Sequence, residues 1–383
     1  MEKKKIAIFA ENLYGGGVEK ILQIICRNFD YTKYDLTLYA SRKEKYPKGT
    51  YPTNIHHKYI FANYVPSDKL HKRLWVLIKN KLKLFIYYHF SPKVFYKLFV
   101  KEKYDTGIAF IEGYATRILS GAPEEMKKIA WIHIELGTFH WTKIAFRSTE
   151  EEIDCYKKMN KIACVSTIVK KQADNLFNNP TKTAVIHNPI DIHRIILQSN
   201  EPLNIETKKQ KIRFISLGTL NKRKSYDRLL IAINRLIKEG LRFETLILGE
   251  GEERKNLESY IYNNELQDFV KLIGFVDNPY PYIKSADVYV CTSTAEGYNT
   301  AVSEAIILGK AVISTEVSGI REQLGENSEY GIITENSEVG IYNGIKKMLN
   351  DERIKYYQEK SKERLHLFNI DKQMQEIYNL IDA

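Results

Sequence analysis

The sequence VYVCTSTAEGYNTAVSEAIILG at residues 288–309 decides the fold class, because it passes from an apolar run through a turn into a helix. Val288–Cys291 has the length and composition of a buried strand. Asn299 or Thr300 can cap the helix, and the final glycine can end it. A second apolar run, Ala311–Ser314, follows directly. Strand, helix and strand in this order predict a parallel sheet covered by helices.

The same alternation extends along most of the chain. Further strands are predicted at Lys5–Ala10, Asp35–Ala40, Asp105–Phe110, Ile129–Ile134, Lys161–Val165, Ala184–Ile186, Ile212–Leu217, Glu244–Leu248 and Val270–Ile273. Helices with one apolar face are predicted at Val18–Phe29, Tyr226–Ile237 and Glu252–Ile261.

A polar stretch near the middle of the chain separates two such sets. The fold class is therefore predicted to be α/β, with two Rossmann-like domains facing a central cleft. The predicted segments are an N-terminal domain at 1–190, a hinge at 191–211, a C-terminal domain at 212–365 and a final helix at 366–383 that packs back on the first domain. Doubly wound domains bind ligands at the carboxyl ends of their strands, so functional residues are expected there.

Composition narrows the class of protein. Of the 383 residues, 44% are hydrophobic and 27% are charged, which excludes a wholly disordered chain. The net charge of +11 favours polyanionic partners such as phosphorylated ligands or anionic lipid. The four cysteines form no CxxC pair, so we expect no disulfide scaffold, no zinc site and a reducing cytosol. The apolar runs are too short for a signal peptide or a membrane-spanning helix.

Two carboxylates stand eight residues apart at the start of the deciding helix. Glu296 falls in the turn and Glu304 about one turn inside the helix, so both can face one site. The backbone amides from Gly297 to Thr300 lie at the positive end of the helix, where a phosphate is stabilised. Carboxylates also accept strong hydrogen bonds from sugar hydroxyls. The alternative is a pair of solvated glutamates beside a capping turn.

Two other turns follow predicted strands. Lys222, Arg223 and Lys224 come after Gly218 and ahead of a helix, where three cations would suit a pyrophosphate. Gly15–Gly17 follows the first strand, and glycine lets the backbone approach a ligand closely. The alternatives are a basic surface loop and a flexible turn.

His133 ends the predicted strand at Ala130–Glu135. A histidine there could hydrogen-bond a substrate or act as an acid or base. The alternative is a structural histidine whose hydrogen bonds are satisfied within the protein.

These elements, in this order, resemble the family-4 (group 1) retaining glycosyltransferases of the GT-B fold, over nearly the whole chain. The most specific match is the E-x7-E element from Glu296 to Glu304. Gly16–Glu19 resembles the family's GGxE turn, and Lys224 resembles its phosphate-binding lysine. Asn188–Asp191 resembles the segment that ends the first domain.

The resemblance implies that the second domain holds a nucleotide sugar and the first holds the acceptor. Glu304 would bind the ribose, Glu296 a hexose hydroxyl, and His133 would line the donor sugar. Lys224 and the backbone amides of Gly16, Asn299 and Thr300 would neutralise the diphosphate. The implied catalytic residues are His133, Glu296 and Lys224. The implied donor-binding residues are Gly16, Gly17, Lys222, Arg223, Gly297, Tyr298, Asn299, Thr300 and Glu304.

The sequence departs from the family pattern at Thr219, where the family usually has an arginine. Lys222 or Arg223 could supply that charge. No two aspartates are separated by a single residue, so the D-x-D pair typical of metal-dependent transferases is missing from the sequence. We therefore expect no cofactor and metal-independent chemistry, in which lysine and helix dipoles stabilise the leaving diphosphate. The resemblance implies retention, and front-face displacement is the favoured route because no residue presents itself as a nucleophile.

The segment 69–103 combines many bases and one acid, Glu102, with an aromatic and aliphatic face. This composition is typical of an interfacial helix on anionic lipid. The predicted membrane-contact residues are Lys72, Arg73, Trp75, Lys79, Lys81 and Lys83. The alternative is a helical hairpin whose apolar face belongs to the core. Nucleic acid is not an expected partner, because no recognition motif accompanies the charge.

The sequence therefore predicts an enzyme that moves a hexose or N-acetylhexosamine from a nucleotide-diphosphate sugar to a lipid-linked or glycan acceptor. Family prevalence favours UDP as the nucleotide. The expected setting is bacterial surface polysaccharide synthesis, in the cytoplasm at the inner face of the plasma membrane. Two alternatives stay open: a GT-B-fold sugar-nucleotide epimerase and a non-catalytic glycan-binding protein with a decayed transferase fold.

Overall fold

The computed structural model describes residues 2–63, 69–178, 180–203 and 212–382. The chain divides into two compact units. The first consists of residues 1–189 together with 371–383, and the second of residues 190–370. Each unit is built on its own sheet of parallel strands, so the prediction of two Rossmann-like α/β domains is confirmed.

The sheet of the first unit has seven strands. They are β1 (Lys4–Phe9), β2 (Tyr34–Ala40), β3 (His56–Tyr59), β4 (Thr106–Ala109), β5 (Lys127–Ile132), β6 (Lys161–Cys164) and β7 (Thr183–Val185). Their order is β3-β2-β1-β4-β5-β6-β7, and every neighbouring pair is parallel. Strand β3 was not predicted, because it has no apolar run; pairing with β2 at the edge of the sheet defines it.

The described part of the first unit has six helices before the second unit begins. They are α1 (Gly17–Arg27), α2 (Leu70–His89), α3 (Pro92–Phe99), α4 (Tyr114–Leu119), α5 (Thr149–Lys157) and α6 (Thr167–Phe177). A 3-10 helix at Trp141–Ala145 follows β5. Helix α1 buries Ile21, Leu22 and Ile25, the apolar face that its sequence predicts.

The second unit has a six-stranded parallel sheet. Its helices and strands are α7 (Ile192–Gln198), β8 (Arg213–Leu217), α8 (Tyr226–Lys238), β9 (Glu244–Leu248), α9 (Arg254–Asn263), β10 (Val270–Gly274), α10 (Tyr280–Ser285), β11 (Val288–Cys291), α11 (Thr300–Ile307), β12 (Ala311–Thr315), α12 (Ile320–Leu324), β13 (Ile332–Thr334), α13 (Glu338–Met348) and α14 (Asp351–Glu363). The strand order is β10-β9-β8-β11-β12-β13. Strand β13, like β3, is short and was not predicted.

The core of the second unit lies on both faces of this sheet. Helix α8 shows why, since Leu229, Ile233 and Leu236 recur at helical spacing and are fully buried. The two helix-covered faces leave the ends of the strands as the place where polar loops collect.

The predicted hinge at 191–211 begins with helix α7. The Asp191 side chain caps this helix by accepting a hydrogen bond of 2.9 Å from the amide three residues on. Ile195 is buried. Residues 192–198 are therefore a packed element of the second unit rather than a linker, and 204–211 lie outside the described residues.

The last helix, α15 (Ile370–Asp382), belongs to the first unit from its second residue onward. Tyr378 stacks on Tyr34 with ring centroids 5.6 Å apart. The Tyr34 hydroxyl donates to Asp382 at 2.6 Å, and Lys4 donates to one of the last carbonyls of the helix at 2.9 Å. The chain end thus packs on the first sheet.

Candidate functional site

Two loops meet at the carboxyl ends of β8 and β11, which are neighbouring strands. The Thr294 amide donates to the carbonyl of Arg223 at 2.8 Å, and the Thr292 hydroxyl donates to the carbonyl of Lys224 at 2.8 Å. These bonds fix the basic loop after β8 against the acidic loop after β11. The cations and the carboxylate that the sequence placed in separate motifs therefore lie side by side.

A glycine and an asparagine shape the basic loop. A Cβ added to Gly218 would lie 3.0 Å from Cε of Lys224, so the glycine makes room for the lysine side chain. The Asn221 side chain accepts a hydrogen bond of 3.1 Å from the Lys224 amide and closes a 3-10 turn over Lys222–Lys224. Lys222 is exposed, whereas Arg223 and Lys224 are only partly accessible. The turn thus directs two of the three predicted cations inward.

Glu296 is the centre of the charged cluster. Its Oε1 accepts from Nζ of Lys224 at 2.5 Å and from the Ser293 hydroxyl at 2.6 Å. Its Oε2 accepts from Nη1 of Arg223 at 3.0 Å, and the same nitrogen donates to the carbonyl of Ala295 at 2.9 Å. Lys224, Arg223, Ser293 and Glu296 therefore form one connected network. We refer to this network as the Glu296 cluster.

The cluster keeps its carboxylate ionised despite burial. Glu296 is 8% exposed, and burial alone would raise its pKa. The charges of Lys224 and Arg223 outweigh burial and hold the pKa of Glu296 at about 2. Both cations are thus already neutralised in part by an internal anion when no ligand is bound.

Helix α11 begins where the sequence predicts. Oδ1 of Asn299 accepts from the amides of Ala301 and Val302 at 3.0 and 3.3 Å, so Asn299 is the N-cap. Glu304 lies one turn inside the helix and is buried, as the E-x7-E spacing predicts. Tyr298 is buried as well.

His133 lies directly after β5 in the first unit and is 8% exposed. Burial lowers its pKa to about 3, against a smaller opposing effect of a hydrogen bond with the backbone of Phe110. The imidazole is therefore neutral at pH 7 and is a poor general acid. Nε2 of His133 is buried, and among the described residues it has no hydrogen-bond partner.

A buried acid supports the loop that carries His133. Oε2 of Glu112 accepts from the His133 backbone amide at 3.0 Å, and its Oε1 accepts from Nε1 of Trp141 at 3.3 Å. Glu112 follows β4, the strand next to β5, and is 3% exposed. Burial raises the pKa of the Glu112 carboxyl. Glu112 was not predicted from the sequence. Its one local signal is that it is a carboxylate just after a predicted strand.

The glycine turn after β1 already holds an anion. Gly16 is the N-cap of α1, and the Glu19 carboxylate folds back to accept from the amides of Gly16 and Glu19 itself. A Cβ added to Gly16 would meet Oε2 of Glu19, so a larger residue there would require the carboxylate to move. Burial, aided by Glu44 and Glu11, raises the pKa of Glu19 to about 7 despite these amides. The Gly16 amide that the resemblance assigns to a diphosphate is therefore occupied by a side chain.

The predicted membrane-contact residues lie on α2. Lys72, Lys79 and Lys81 are exposed, and Trp75 is 58% exposed. Lys83 points the other way: its Nζ donates to the carbonyl of Ile60 and lies 5.2 Å from the centroid of the Phe99 ring. Arg73 is partly buried on the same side.

Neither a metal-binding cluster nor a membrane-spanning helix is found among the residues that the structure describes. Between residues 2 and 382, outside the gaps given above, no group of three or more His, Cys, Asp and Glu side chains could hold a metal ion. The helices described in that range are all too short or too polar to cross a bilayer.

Residues 199–365 match the family model of the Glycosyl transferases group 1. The match covers less than half of the chain, so it shows what this part of the chain is similar to. The matched residues include the Glu296 cluster and both glutamates of the E-x7-E element.

Two of the curated relatives to which the chain is similar are named for bacterial glycan synthesis. The chain is 32% identical over 198 residues to the N-acetylgalactosamine-N,N'-diacetylbacillosaminyl-diphospho-undecaprenol 4-alpha-N-acetylgalactosaminyltransferase of Campylobacter jejuni, covering 51% of this chain and 52% of that protein. It is 29% identical over 154 residues to the O-antigen biosynthesis glycosyltransferase WclY of Escherichia coli, covering 39% and 42%. The chain spans about half the length of the curated relatives it matches.

Several solved structures share the fold of this chain. Anabaena HepE in complex with UDP and glucose gives a TM-score of 0.76 at 16% identity, covering 99% of this chain and 100% of that one. Sucrose-phosphate synthase from Thermosynechococcus elongatus gives 0.72 at 16% identity, covering 99% and 98%. At these identities the likeness shows the fold alone.

Proposed function

We propose that the protein transfers a hexose or N-acetylhexosamine, with retention of configuration, from a nucleotide-diphosphate sugar to a lipid-linked or glycan acceptor. The observation that carries this proposal is the Glu296 cluster, in which a carboxylate bridges Lys224 and Arg223 at the carboxyl end of a Rossmann-like sheet. Two cations held apart by a carboxylate match the two needs of such a donor. The cations suit its diphosphate, and the carboxylate suits a sugar hydroxyl.

Donor binding would rearrange the cluster. In the proposed complex the diphosphate engages Lys224 and Arg223, and Glu296 is released to accept a hydrogen bond from the sugar. Glu304, one turn inside α11, binds the ribose. The positive end of α11, with the amides from Gly297 to Thr300, adds to the charge that faces the phosphates.

The same cations make the proposed chemistry independent of metal. As the bond to the sugar breaks, negative charge grows on the departing diphosphate, and fixed positive charges stabilise it there. Lys224 is the main contributor in this proposal, because the glycine turn at Gly218 makes room for its side chain and its ammonium lies within the cluster. Attack on the same face as the departing phosphate then retains the configuration.

The first unit would contribute a hydrogen-bond acceptor rather than a proton donor. His133 is neutral, so its unpartnered Nε2 can accept from a hydroxyl of the donor sugar. The amide at Gly16 becomes available to phosphate when the Glu19 carboxylate moves away. Acid catalysis by His133, which the sequence left open, is not part of the proposal.

We also propose the acceptor class and the place of work. The Campylobacter jejuni relative is named for a diphospho-undecaprenol acceptor and the Escherichia coli relative for O-antigen synthesis. A UDP-sugar donor and an acceptor of bacterial surface polysaccharide synthesis, at the inner face of the plasma membrane, fit these names and the basic, apolar segment 69–103.

A donor screen tests the proposal. The protein is incubated with UDP- and GDP-sugars, with and without a bacterial lipid extract, and both thermal shift and sugar transfer are measured. A ligand that binds the folded protein stabilises it by mass action, and sugar transfer then identifies the donor among the nucleotide sugars that bind. We expect one UDP-sugar to raise the melting temperature and to be consumed with the extract, also in excess chelator.

The outcomes separate the alternatives. Conversion of the nucleotide sugar into an epimer without any extract would indicate an epimerase. Stabilisation by glycans but by no nucleotide sugar would indicate a binding protein. Loss of transfer in chelator, restored by magnesium or manganese, would contradict the metal-independent route.

A further inference from the structure

Helix α2 exposes large apolar side chains and turns polar side chains toward its own unit, which is the reverse of an ordinary surface helix. Its only fully buried side chains are Asn80 and Tyr87, and the side facing its own unit also carries the partly buried Arg73, Val76 and Lys83. Large apolar side chains occupy the opposite side. An amphipathic helix of a globular protein normally buries its apolar face. The arrangement of α2 therefore calls for a partner outside the unit.

Polar contacts fix this orientation. The Asn80 side chain bonds both backbone groups of Ala62, accepting from its amide at 3.1 Å and donating to its carbonyl at 2.9 Å. The buried Arg117 donates to the carbonyls of Tyr87 and Phe90 at the end of the helix. Asn80 fixes the middle of the helix and Arg117 fixes its end, so the apolar side is held outward rather than left there by chance.

The outward side forms one stripe. Leu74, Ile78, Leu82 and Phe85 recur at helical spacing and are 57%, 47%, 56% and 53% exposed. Helix α3 adds Val94 and Leu98, which are one turn apart and also exposed, to the apolar surface of the same hairpin. Exposed apolar surface that recurs along a helix in this way is typical of an interaction site. We call α2 and α3 together the helical arm.

The charges of the arm indicate which partner fits. Neither helix contains an Asp or Glu. Lys72, Lys79 and Lys81 on α2 and Lys93 and Lys97 on α3 are exposed. A second copy of the arm would bring lysines against lysines, whereas an anionic surface would be attracted by all of them.

We propose that the helical arm docks on an anionic lipid bilayer, with α2 lying in the interface and its outward stripe inserted between headgroups and acyl chains. The exposed lysines contact the headgroups, and Lys83 and Arg73 stay on the protein side. This inference rests on the proposed function in one respect only: a docked arm would hold the protein where a lipid-linked acceptor is presented.

Vesicle co-sedimentation tests the docking. The probes are vesicles of phosphatidylcholine with and without phosphatidylglycerol, at low and high salt. Wild type should bind the anionic vesicles, lose most of its binding in high salt because the lysine contribution is screened, and keep a salt-resistant remainder from the apolar stripe.

Three paired variants assign the binding to a face. Lys79→Glu with Lys81→Glu should lower the partition coefficient by about tenfold or more, since each basic residue near an anionic leaflet contributes about 1 kcal/mol. Ile78→Ser with Leu82→Ser should remove the salt-resistant remainder. Lys238→Glu with Lys355→Glu makes the same charge change on exposed positions of the second unit and should bind as wild type.

Each remaining outcome decides against the proposal. If wild type stays in the supernatant with anionic vesicles at low salt, the arm does not dock on lipid. If the control pair loses as much binding as the arm pair, net charge rather than the arm binds. If wild type is a dimer that Ile78→Ser with Leu82→Ser makes monomeric, a second copy covers the stripe.

A second readout keeps this inference apart from the proposed function. Stabilisation by UDP, measured without lipid, should be equal in wild type and all three paired variants, because none of them touches the Glu296 cluster. Absence of vesicle binding by wild type, together with intact UDP stabilisation, overturns only the docking. Absence of UDP stabilisation in wild type overturns the proposed function and leaves the docking result standing.

Discussion

The Glu296 cluster in the second unit and the helical arm in the first unit differ in whether their cations are paired with an acidic side chain. In the cluster, Glu296 neutralises two cations within hydrogen-bonding distance, and all three side chains are largely buried. In the arm, the helices carry no acid, and their outward face is apolar. The cluster can bind an anion only by exchanging an internal partner. The arm presents its surface without any exchange.

This difference separates two kinds of binding energy. A phosphate that enters the cluster must compete with a carboxylate whose pKa is held at about 2, so the gain in affinity is small and the charge is kept for the step in which the diphosphate departs. A membrane that meets the arm displaces only water. We therefore expect changes in the cluster to affect turnover and changes in the arm to affect location.

The largest effect should come from Lys224→Ala. Removing the ammonium takes away fixed charge from the departing diphosphate, and we expect turnover to fall by about 100-fold or more. Arg223→Ala should cost about tenfold, because one Glu296 oxygen keeps its lysine. Lys222→Ala is the control, since that side chain is exposed and should leave kcat nearly unchanged.

Steady-state kinetics with the donor found in the screen measures this order. If Arg223→Ala proves more damaging than Lys224→Ala, the arginine is the main cation of the site and the family match of Lys224 is misplaced. Equal, wild-type rates in all three variants would show that the cluster is structural.

The two glutamates should separate binding from turnover. Glu304→Ala should weaken UDP binding by about 1.5–3 kcal/mol, the contribution of a hydrogen bond to a charged group. Glu296→Ala should lower kcat more than it lowers affinity for UDP, because it removes the partner of the sugar hydroxyl. Calorimetry measures the affinity for UDP, and kinetics with the nucleotide-sugar donor measures kcat. Identical behaviour of both variants would contradict the different roles proposed for them.

The hydrogen bonds that hold the arm on its unit can be tested by mutation. Asn80→Ala removes both hydrogen bonds to the backbone of Ala62 and should destabilise the unit by about 1–3 kcal/mol. The loss should be concentrated in faster amide exchange along α2. Lys81→Ala on the exposed side is the matched control and should change neither. If exchange in α2 is equally fast in wild type and Asn80→Ala, the arm is not held by this contact.

How much could be predicted from the sequence depends on the range of the interaction. The start of α11 was predicted because its signal is local: Asn299 caps amides two and three residues away. The strands β11 and β9 have the predicted bounds, because both are short, fully apolar or nearly so, and flanked by turns. Edge strands β3 and β13 were missed, since pairing rather than composition defines them.

Tertiary contacts account for the parts of the site that the sequence could not give. Nothing local to Glu112 indicates that it bonds the backbone of His133, because the two residues meet only through neighbouring strands. Periodicity shows that α2 has two faces, but it does not say which one turns outward. Asn80 decides that, through its bonds to a residue eighteen positions away, and it places Lys83 on the protein side.

The smallest expected effect concerns pH and Glu19, the internal anion of the first unit. The pKa of this carboxyl is raised by burial to about 7, so the folded protein binds its proton more tightly than the unfolded chain does. Its contribution to stability is therefore fully present below the ordinary pKa of a glutamate. It is lost as pH rises through the folded value near 7.

Glu19→Gln keeps a hydrogen-bond acceptor at the Gly16 amide but cannot ionise. The stability of this variant relative to wild type should therefore increase between about pH 5 and pH 8, by on the order of 1 kcal/mol. Glu11, whose pKa burial also raises, stays in both proteins, and the variant removes only its repulsion of Glu19. Thermal or urea unfolding of both proteins at several pH values measures this difference in stability. A difference that does not change with pH would show that Glu19 is ionised throughout, as the carboxylate of Glu296 is, and the two internal anions would then be alike.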